Sequence, residues 1–341
     1  MSTISKIYTS VEEITLAKPF VTALRRRESV SFVRVFIENE RGECGVGEAP
    51  ATEAITGEGI QEILSAIERI KSLCIQKELE QCFEILDTSD LKSSAKAALD
   101  IALISLDAKE RGEDLFEYFK TSEKRSISSA ITISVDTPKK MLEAALSALQ
   151  KGQNILKVKL AEDIDHAIKV TKELSENFQE ATLLIDANQA WSLQEAKKYI
   201  DAVEAYPIAL IEQPLQAQDL QGLQELQRYS SIDLLADESV FTLEDMQKVI
   251  SLQAATMINI KLMKCGGVRE AQKMFAWARE NNIKCMLGSM LEGPYSINMA
   301  VHLAYANRDV ISFVDLDSPM LYKEKSPLPD FYYLANQIYR A

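Results

Sequence analysis

Four short apolar runs in this chain each end on a charged residue. Leu183-Leu184-Ile185 runs into Asp186, Ala209-Leu210-Ile211 into Glu212, Leu234-Leu235-Ala236 into Asp237 and Met257-Ile258-Asn259-Ile260 into Lys261. The charged residues lie 26, 25 and 24 residues apart. That is the length of one strand, one helix and two short loops. Side chains at the C-terminal ends of successive parallel barrel strands face one shared mouth, where such proteins keep their chemistry. Three carboxylates there suit a hard divalent cation, Mg2+ with Mn2+ as the alternative. A single acid at a strand end is more often a cap or an ion-pair partner. Three in register favour a metal held by Asp186, Glu212 and Asp237.

Lysines accompany them. Lys157 and Lys159 sit at alternate positions of the stretch Asn154–Leu160 and therefore share a strand face. A lysine aimed into a barrel mouth is costly unless it is paired or used. Ion pairing to the acids is the plain reading, and proton abstraction is the functional one. Mutual repulsion of Lys157 and Lys159, with a metal nearby, is expected to push a lysine toward neutrality, where it can act as a base. Lys159 and Lys261 fall on the second and sixth of eight expected strands, on opposite sides of the mouth. Two opposed bases can take a proton from one face of a bound substrate and return it to the other. Asp315-Leu316-Asp317 follows a further apolar strand, 54 residues beyond Lys261. That pair suits extra metal ligands, caps, or a socket for a substrate ammonium, and spacing alone does not separate socket from cap. His166 and His302 end no strand and read as ordinary helix-surface residues. There is no Ser-His-Asp arrangement and no glycine pattern of a nucleotide site.

The positioning elements follow from periodicity. Ile4–Leu16 and Ser29–Glu38 alternate in the strand period, and Cys44–Glu48 returns after the turn at Asn39-Glu40-Arg41-Gly42. Lys18 to Arg27, with three consecutive arginines, reads as a solvated loop. Ile63, Leu64, Ile67, Ile70 and Leu73 switch to the helical period, as do Ala97, Ala98, Ile101, Ala102 and Leu106. Strand and helix then alternate from Ala130 to Val314, with Pro138 opening a helix and Gly152 closing it. The chain is therefore expected to be an α/β protein, a (β/α)8-type barrel behind an N-terminal α+β capping domain. The expected division is 1–118 for the cap, 119–320 for the barrel and 321–341 for a C-terminal segment able to return to the cap. Gly112 and Thr121–Arg125 mark the junction.

Composition excludes several classes. With 341 residues, 47% apolar and 26% charged, the chain can build a barrel and a smaller partner domain. A net charge of −13 argues against nucleic acid or an anionic membrane surface as a partner. Cys44, Cys74, Cys82, Cys265 and Cys285 are scattered, odd in number and not spaced as C-x-x-C, so reduced thiols are expected. No apolar run approaches the roughly 18 residues of a membrane span, and Met1–Pro19 has no signal-peptide core. A cytoplasmic location is expected.

The stretches Leu156-Lys157-Val158-Lys159, Ile185-Asp186-Ala187-Asn188-Gln189, Ile211-Glu212-Gln213-Pro214, Ala236-Asp237-Glu238-Ser239 and Ile258-Asn259-Ile260-Lys261 together resemble the enolase superfamily. They are most similar to its muconate lactonizing enzyme subgroup, and within it to the dipeptide epimerases of the L-Ala-D/L-Glu type. The resemblance covers nearly the whole chain and implies an enolase-like modified TIM barrel. It implies an Mg2+-dependent isomerase that inverts the α-carbon of a dipeptide's C-terminal residue by two-base 1,1-proton transfer. Lys159 and Lys261 would be the bases, with Lys157 tuning Lys159 and donating to the substrate carboxylate, and Glu238 orienting Lys261. Asp315 and Asp317 would hold the substrate's α-ammonium, and Thr132, Ser289 and Met290 would lie along it. Lys18-Pro19-Phe20…Thr22-Ala23-Leu24-Arg25 resembles the capping loop of these enzymes, in which Arg25 would pair with the side-chain carboxylate of a C-terminal glutamate. No organic cofactor is implied, and a homo-oligomer would be in keeping with the family. A small or apolar second residue, o-succinylbenzoate synthase or N-acylamino acid racemase chemistry, and a non-catalytic metal-dependent binding protein remain the alternatives.

Overall fold

The computed structural model describes residues 2–121 and 125–341. Its strands are β1 (Ile4–Val21), β2 (Arg26–Asn39), β3 (Cys44–Pro50), β4 (Ile127–Ser128), β5 (Ile131–Ile133), β6 (Ile155–Lys159), β7 (Thr182–Asp186), β8 (Ile208–Glu212), β9 (Leu234–Ala236), β10 (Met257–Ile260), β11 (Lys284–Gly288), β12 (Ile311–Asp315), β13 (Phe331–Leu334) and β14 (Gln337–Arg340). Strands β1 to β3 form an antiparallel sheet, and β5 to β12 form one eight-stranded parallel sheet in sequence order. Ala130 N donates to Val314 O at 2.7 Å, which brings the first and last of these eight together. The interior is filled by one residue from nearly every strand: Leu184, Leu210, Leu235, Met257 and Met286, with Ala130 just before β5. Such packing makes the barrel a core rather than a pore and leaves chemistry to its mouth.

In the N-terminal part, helix Ser93–Arg111 lies directly on β3. A side chain at Gly45 or Gly47 would put its Cβ 2.0 Å from Ala102 O or 1.9 Å from Ala98 O. Glycine on the strand and alanine on the helix are what allow that approach. Two buried carboxylates of this part cap helices of the barrel. Glu48 accepts from Tyr295 N (2.7 Å) and Ser296 N (3.2 Å), at the start of helix Pro294–Ala306. Asp100 accepts from Val268 N (2.6 Å), Arg269 N (3.2 Å) and Arg269 Nε (2.6 Å), at the start of helix Val268–Glu280. Negative charge at a helix N-terminus satisfies its free N–H groups and its dipole, so the cap is fastened to the barrel at two helix starts.

The structure corrects two expectations. Lys18–Arg27 is not one long loop. β1 continues through Val21 and β2 begins at Arg26, with Phe20 opposite Arg27 and Val21 opposite Arg26 beyond an irregularity after Thr15. Only residues 22–25 turn, closed by Thr22 N to Arg25 O at 2.9 Å. The charged side chains disguise a backbone that still pairs across the hairpin. His302 is not on the surface. It is fully buried, with Nε2 2.8 Å from Asp330 Oδ2 and its ring against Phe116 and Phe331.

The C-terminal segment first touches β1, through a Leu16–Tyr322 bridge and Lys323 N to Thr15 O at 2.9 Å. It then forms the β13–β14 hairpin, which pairs with β4, and Arg340 reaches Asp114 at 3.3 Å. A domain boundary after residue 118 stays a proposal, because residues 122–124 of the expected junction lie outside the described residues. No helix is long and apolar enough to cross a membrane, among the described residues.

Candidate active site

The strand ends carry the charged residues in register. Lys159 on β6 lies beside Asp186 on β7, which lies beside Glu212 on β8. Asp237 and Lys261 follow directly after β9 and β10, and Asp315 closes β12. All six are buried. Lys157, completely buried, spans three acids with Nζ at 3.2 Å from Asp186 Oδ2, 2.8 Å from Glu212 Oε2 and 2.7 Å from Asp315 Oδ2. Lys159 Nζ is 2.5 Å from Asp186 Oδ2, and Lys261 Nζ is 2.6 Å from Asp237 Oδ2.

One cleft opens above them. Arg25, Thr132, Lys159, Asp237, Lys261, Ser289, Met290, Asp315 and Asp317 all line it, so the structure collects these expected residues in one place. Lys157, Asp186 and Glu212 do not line it and are buried. Phe20, Thr22, Leu24, Ile55, Asn188, Glu238 and Leu291 complete the wall. The cap supplies Phe20, Thr22, Leu24, Arg25 and Ile55, so the cleft belongs to both parts of the chain. Val21 and Val135 tie the cap hairpin to the barrel, with Val135 N donating to Val21 O at 3.1 Å. Asp317 Oδ2 accepts from Thr132 N at 2.7 Å, joining the two edge strands of the barrel at the cleft.

Electrostatics in this pocket differ from the expected picture. Burial works against the charge of Lys157, but Asp315, Glu212 and Asp186 outweigh it and hold the ammonium well above its ordinary value. Lys261 is likewise raised, burial being overcome chiefly by Asp237. Lys157, expected to tune Lys159, is thus itself held charged: three carboxylates surround it, and opposite charge at contact exceeds like charge two residues away. Burial likewise opposes charge on Asp237 and Asp186, yet their lysines keep both carboxylates low. Glu212 is pushed up to about 7 by burial and by Asp186, Glu238 to about 7 by burial and by Asp237, and Asp317 to about 7 by burial and by Asp315.

That pattern bears on a cation. Among the described residues, no three acidic or other ligating side chains are drawn together as a ready-made metal cage; lysine ammoniums lie against the carboxylates instead. The cluster nonetheless gathers six carboxyl groups (Asp186, Glu212, Asp237, Glu238, Asp315, Asp317) around four lysines (157, 159, 261, 264). Glu238 Oε2 and Asn188 Oδ1 are buried without a hydrogen-bond donor. Hard oxygen donors left unsatisfied, in a site where crowded acids raise one another, suit a divalent cation of the Mg2+ kind.

Sequence reasoning missed two residues here. Asn259 donates from Nδ2 to Glu212 Oε1 at 2.8 Å. It alternates with Lys261 as Lys157 does with Lys159, so the same period would have found it. Lys264 places Nζ 2.7 Å from Asp237 Oδ1. It sits in the one-turn helix Leu262–Cys265 after β10, and no strand period reaches it.

A parallel eight-stranded barrel under an antiparallel cap, with buried acids and lysines at its strand ends, defines a class of barrel enzymes that use charge to move protons. Residues 140–333 match the model of the family described as enolase C-terminal domain-like. The chain belongs to that family, as the resemblance in its motifs implied. It is 49% identical to the L-amino acid-D/L-Glu epimerase of Sulfurimonas denitrificans, over 96% of each chain. It superposes on the substrate-liganded L-Ala-D/L-Glu epimerase of Bacillus subtilis with a TM-score of 0.94 and 34% identity, covering 99% of this chain and 96% of that one. The dipeptide epimerase of Enterococcus faecalis, solved with Mg and L-Leu-L-Tyr, matches with a TM-score of 0.92 and 31% identity over 99% and 97%.

Proposed function

We propose that this protein is an Mg2+-dependent dipeptide epimerase that inverts the α-carbon of a C-terminal glutamate, with L-Ala-D/L-Glu as the leading substrate. The reading is supported by one observation above the rest: Lys159 and Lys261 line the same cleft and are anchored to different carboxylates, Asp186 and Asp237. Solved relatives holding Mg and dipeptides support the metal and the substrate class. Asp186, Glu212 and Asp237 would hold the cation, which supplies positive charge beside the substrate carboxylate and so lowers the cost of removing the α-proton.

The chain's own residues do the rest. Lys159 takes the α-proton from one face and Lys261 delivers one to the other, with the roles exchanged for the opposite epimer. Lys157, fixed by three acids, holds the lattice of charge around Asp186 and Glu212. Asp315 and Asp317 offer the peptide ammonium a carboxylate pair, and Asp315 Oδ1 has no hydrogen-bond donor. Arg25 makes no ion pair with any described residue, and burial with nearby Arg27 lowers it to about 10. A half-buried guanidinium without an anion is suited to a glutamate side chain arriving with the substrate.

Exchange in D2O tests the reading. With Mg2+ present, the wild type should incorporate deuterium at the glutamate α-carbon of both epimers. Lys159→Ala should abolish exchange from one epimer, and Lys261→Ala from the other. Parallel losses from both epimers in each variant would overturn the two-base assignment.

A further inference from the structure

Lys264 is as deeply buried as the site lysines, at 2% exposure, yet it does not line the cleft. Its ammonium makes two hydrogen bonds and one ion pair. Nζ donates to the backbone carbonyl of Asp237, to Asn259 O at 2.9 Å, and lies 2.7 Å from Asp237 Oδ1. Asp237 is thereby divided: Oδ1 faces Lys264 and Oδ2 faces Lys261 at 2.6 Å. A carboxylate with an ammonium at each oxygen, one of them also bonded to its backbone carbonyl, is restrained from turning. The side chain that leans on it, Lys261, inherits that fixity.

The local chain is shaped to deliver Lys264 to this place. After β10, the single turn Leu262–Cys265 carries residue 264 back over Asp237. Gly266 and Gly267 then take φ of 92° and 123°, values an L side chain resists. At Gly267 a Cβ would also stand 2.5 Å from Asp100 Oδ2. The same Asp100 caps the next helix at Val268. The turn is thus pinned between the barrel strand and a carboxylate of the cap helix.

We propose that Lys264 is a positioning residue for the proton transfer: it locks Asp237 and, through it, aims Lys261 at the cleft without touching substrate. The proposal rests on the two-base reading above. It makes the Lys261 side of the reaction depend on Lys264, while the Lys159 side, anchored on Asp186, is independent of it.

The test uses the full-length protein with Mg2+ at a concentration that saturates each variant. Lys261→Ala first identifies which epimer Lys261 serves. Lys264→Met should then lower α-deuterium exchange from that epimer at least tenfold more than from the epimer served by Lys159. Equal losses, or none, would overturn the proposal, because a merely structural role weakens both faces alike. A thermal melt accompanies each variant. If Lys264→Met does not fold, Lys264→Gln, which keeps a donor for part of the set, is read in the same way. Titration calorimetry with Mg2+ alone gives a measure free of catalysis. Loss of a residue that orients a ligand should weaken Mg2+ by roughly 10- to 100-fold. Unchanged or tighter binding, as simple removal of a competing positive charge would give, counts against the proposal. A wild type that exchanges neither epimer of any dipeptide would refute the epimerase reading instead, and calorimetry would still decide Lys264.

Discussion

Replacing Arg25 by glutamine should move activity and stability in opposite directions. Burial and the neighbouring Arg27 lower the Arg25 pKa from its ordinary value to about 10, so holding this charge in the cleft costs free energy. No described carboxylate offsets that cost. A glutamate side chain that docks there recovers part of it and adds charge-assisted hydrogen bonds of about 1.5–3 kcal/mol. Arg25→Gln should therefore lower kcat/KM for L-Ala-L-Glu by about 100-fold, which corresponds to ~2.7 kcal/mol. Activity on L-Ala-L-Gln or L-Ala-L-Leu should be unchanged or improved, since no buried guanidinium is then left bare. The free protein should melt higher, because an unpaired buried charge has been removed. A shift of about 1 kcal/mol corresponds to roughly 2 °C or more in Tm for a protein of this size class. The assays are stereospecific exchange with three dipeptides and a thermal melt without substrate. Equal loss on charged and uncharged dipeptides, or a lower Tm, would refute the reasoning that Arg25 waits for an anion.

Other perturbations carry equally definite expectations. Asp100→Ala strips the start of helix Val268–Glu280 of its cap and Arg269 of its buried partner, leaving only Asp87 at 2.8 Å. Breaking one side of such a pair costs about 3–5 kcal/mol, so urea unfolding should show a large fall in stability; a change under about 1 kcal/mol would mean the cap is fastened elsewhere. His302 has its pKa lowered by burial, against the pull of Asp330. Its neutral form is therefore favoured in the fold. The stability it contributes is complete above its unfolded value of about 6.5 and is lost as pH falls below that. His302→Phe should flatten the dependence of Tm on pH below about 6.5; an unaltered slope would assign the effect to other groups. Asp330, also lowered, acts only further into acid. Removing divalent cations with a chelator should abolish exchange, and restoring Mg2+ at a hundred times its Kd should stabilise the fold by about 2.7 kcal/mol. A Tm indifferent to Mg2+ would argue against a site made of these carboxylates.

Much of the fold was legible in the sequence because parallel barrels repeat. Asp186, Glu212, Asp237 and Lys261 each end a short apolar run at nearly one interval, and a βα unit is the simplest thing with that length. Alternation placed Lys157 and Lys159 on one face, since a strand has a period of two whatever surrounds it. The motifs around these residues were dense enough to mark the family before any coordinates. Local patterns failed where a side chain's fate is decided by distant partners. The arginines of the cap hairpin look solvated, yet the backbone beneath them pairs with Phe20 and Val21. His302 looks like a surface residue until Asp330, Phe116 and Phe331 close over it from elsewhere in the chain.

Which groups arrive at the barrel mouth follows from strand period and unit length, both local properties of the chain. What those groups do to one another depends on the folded arrangement. Alternation put Lys157 beside a like charge, and three carboxylates from β7, β8 and β12 hold it charged. Lys264, on no periodic element, pairs with Asp237, and Arg25 meets no anion among the described residues. Charge interactions reach across strands and fall off with distance through space, not along the chain, so they become readable only once the barrel has brought the strand ends together.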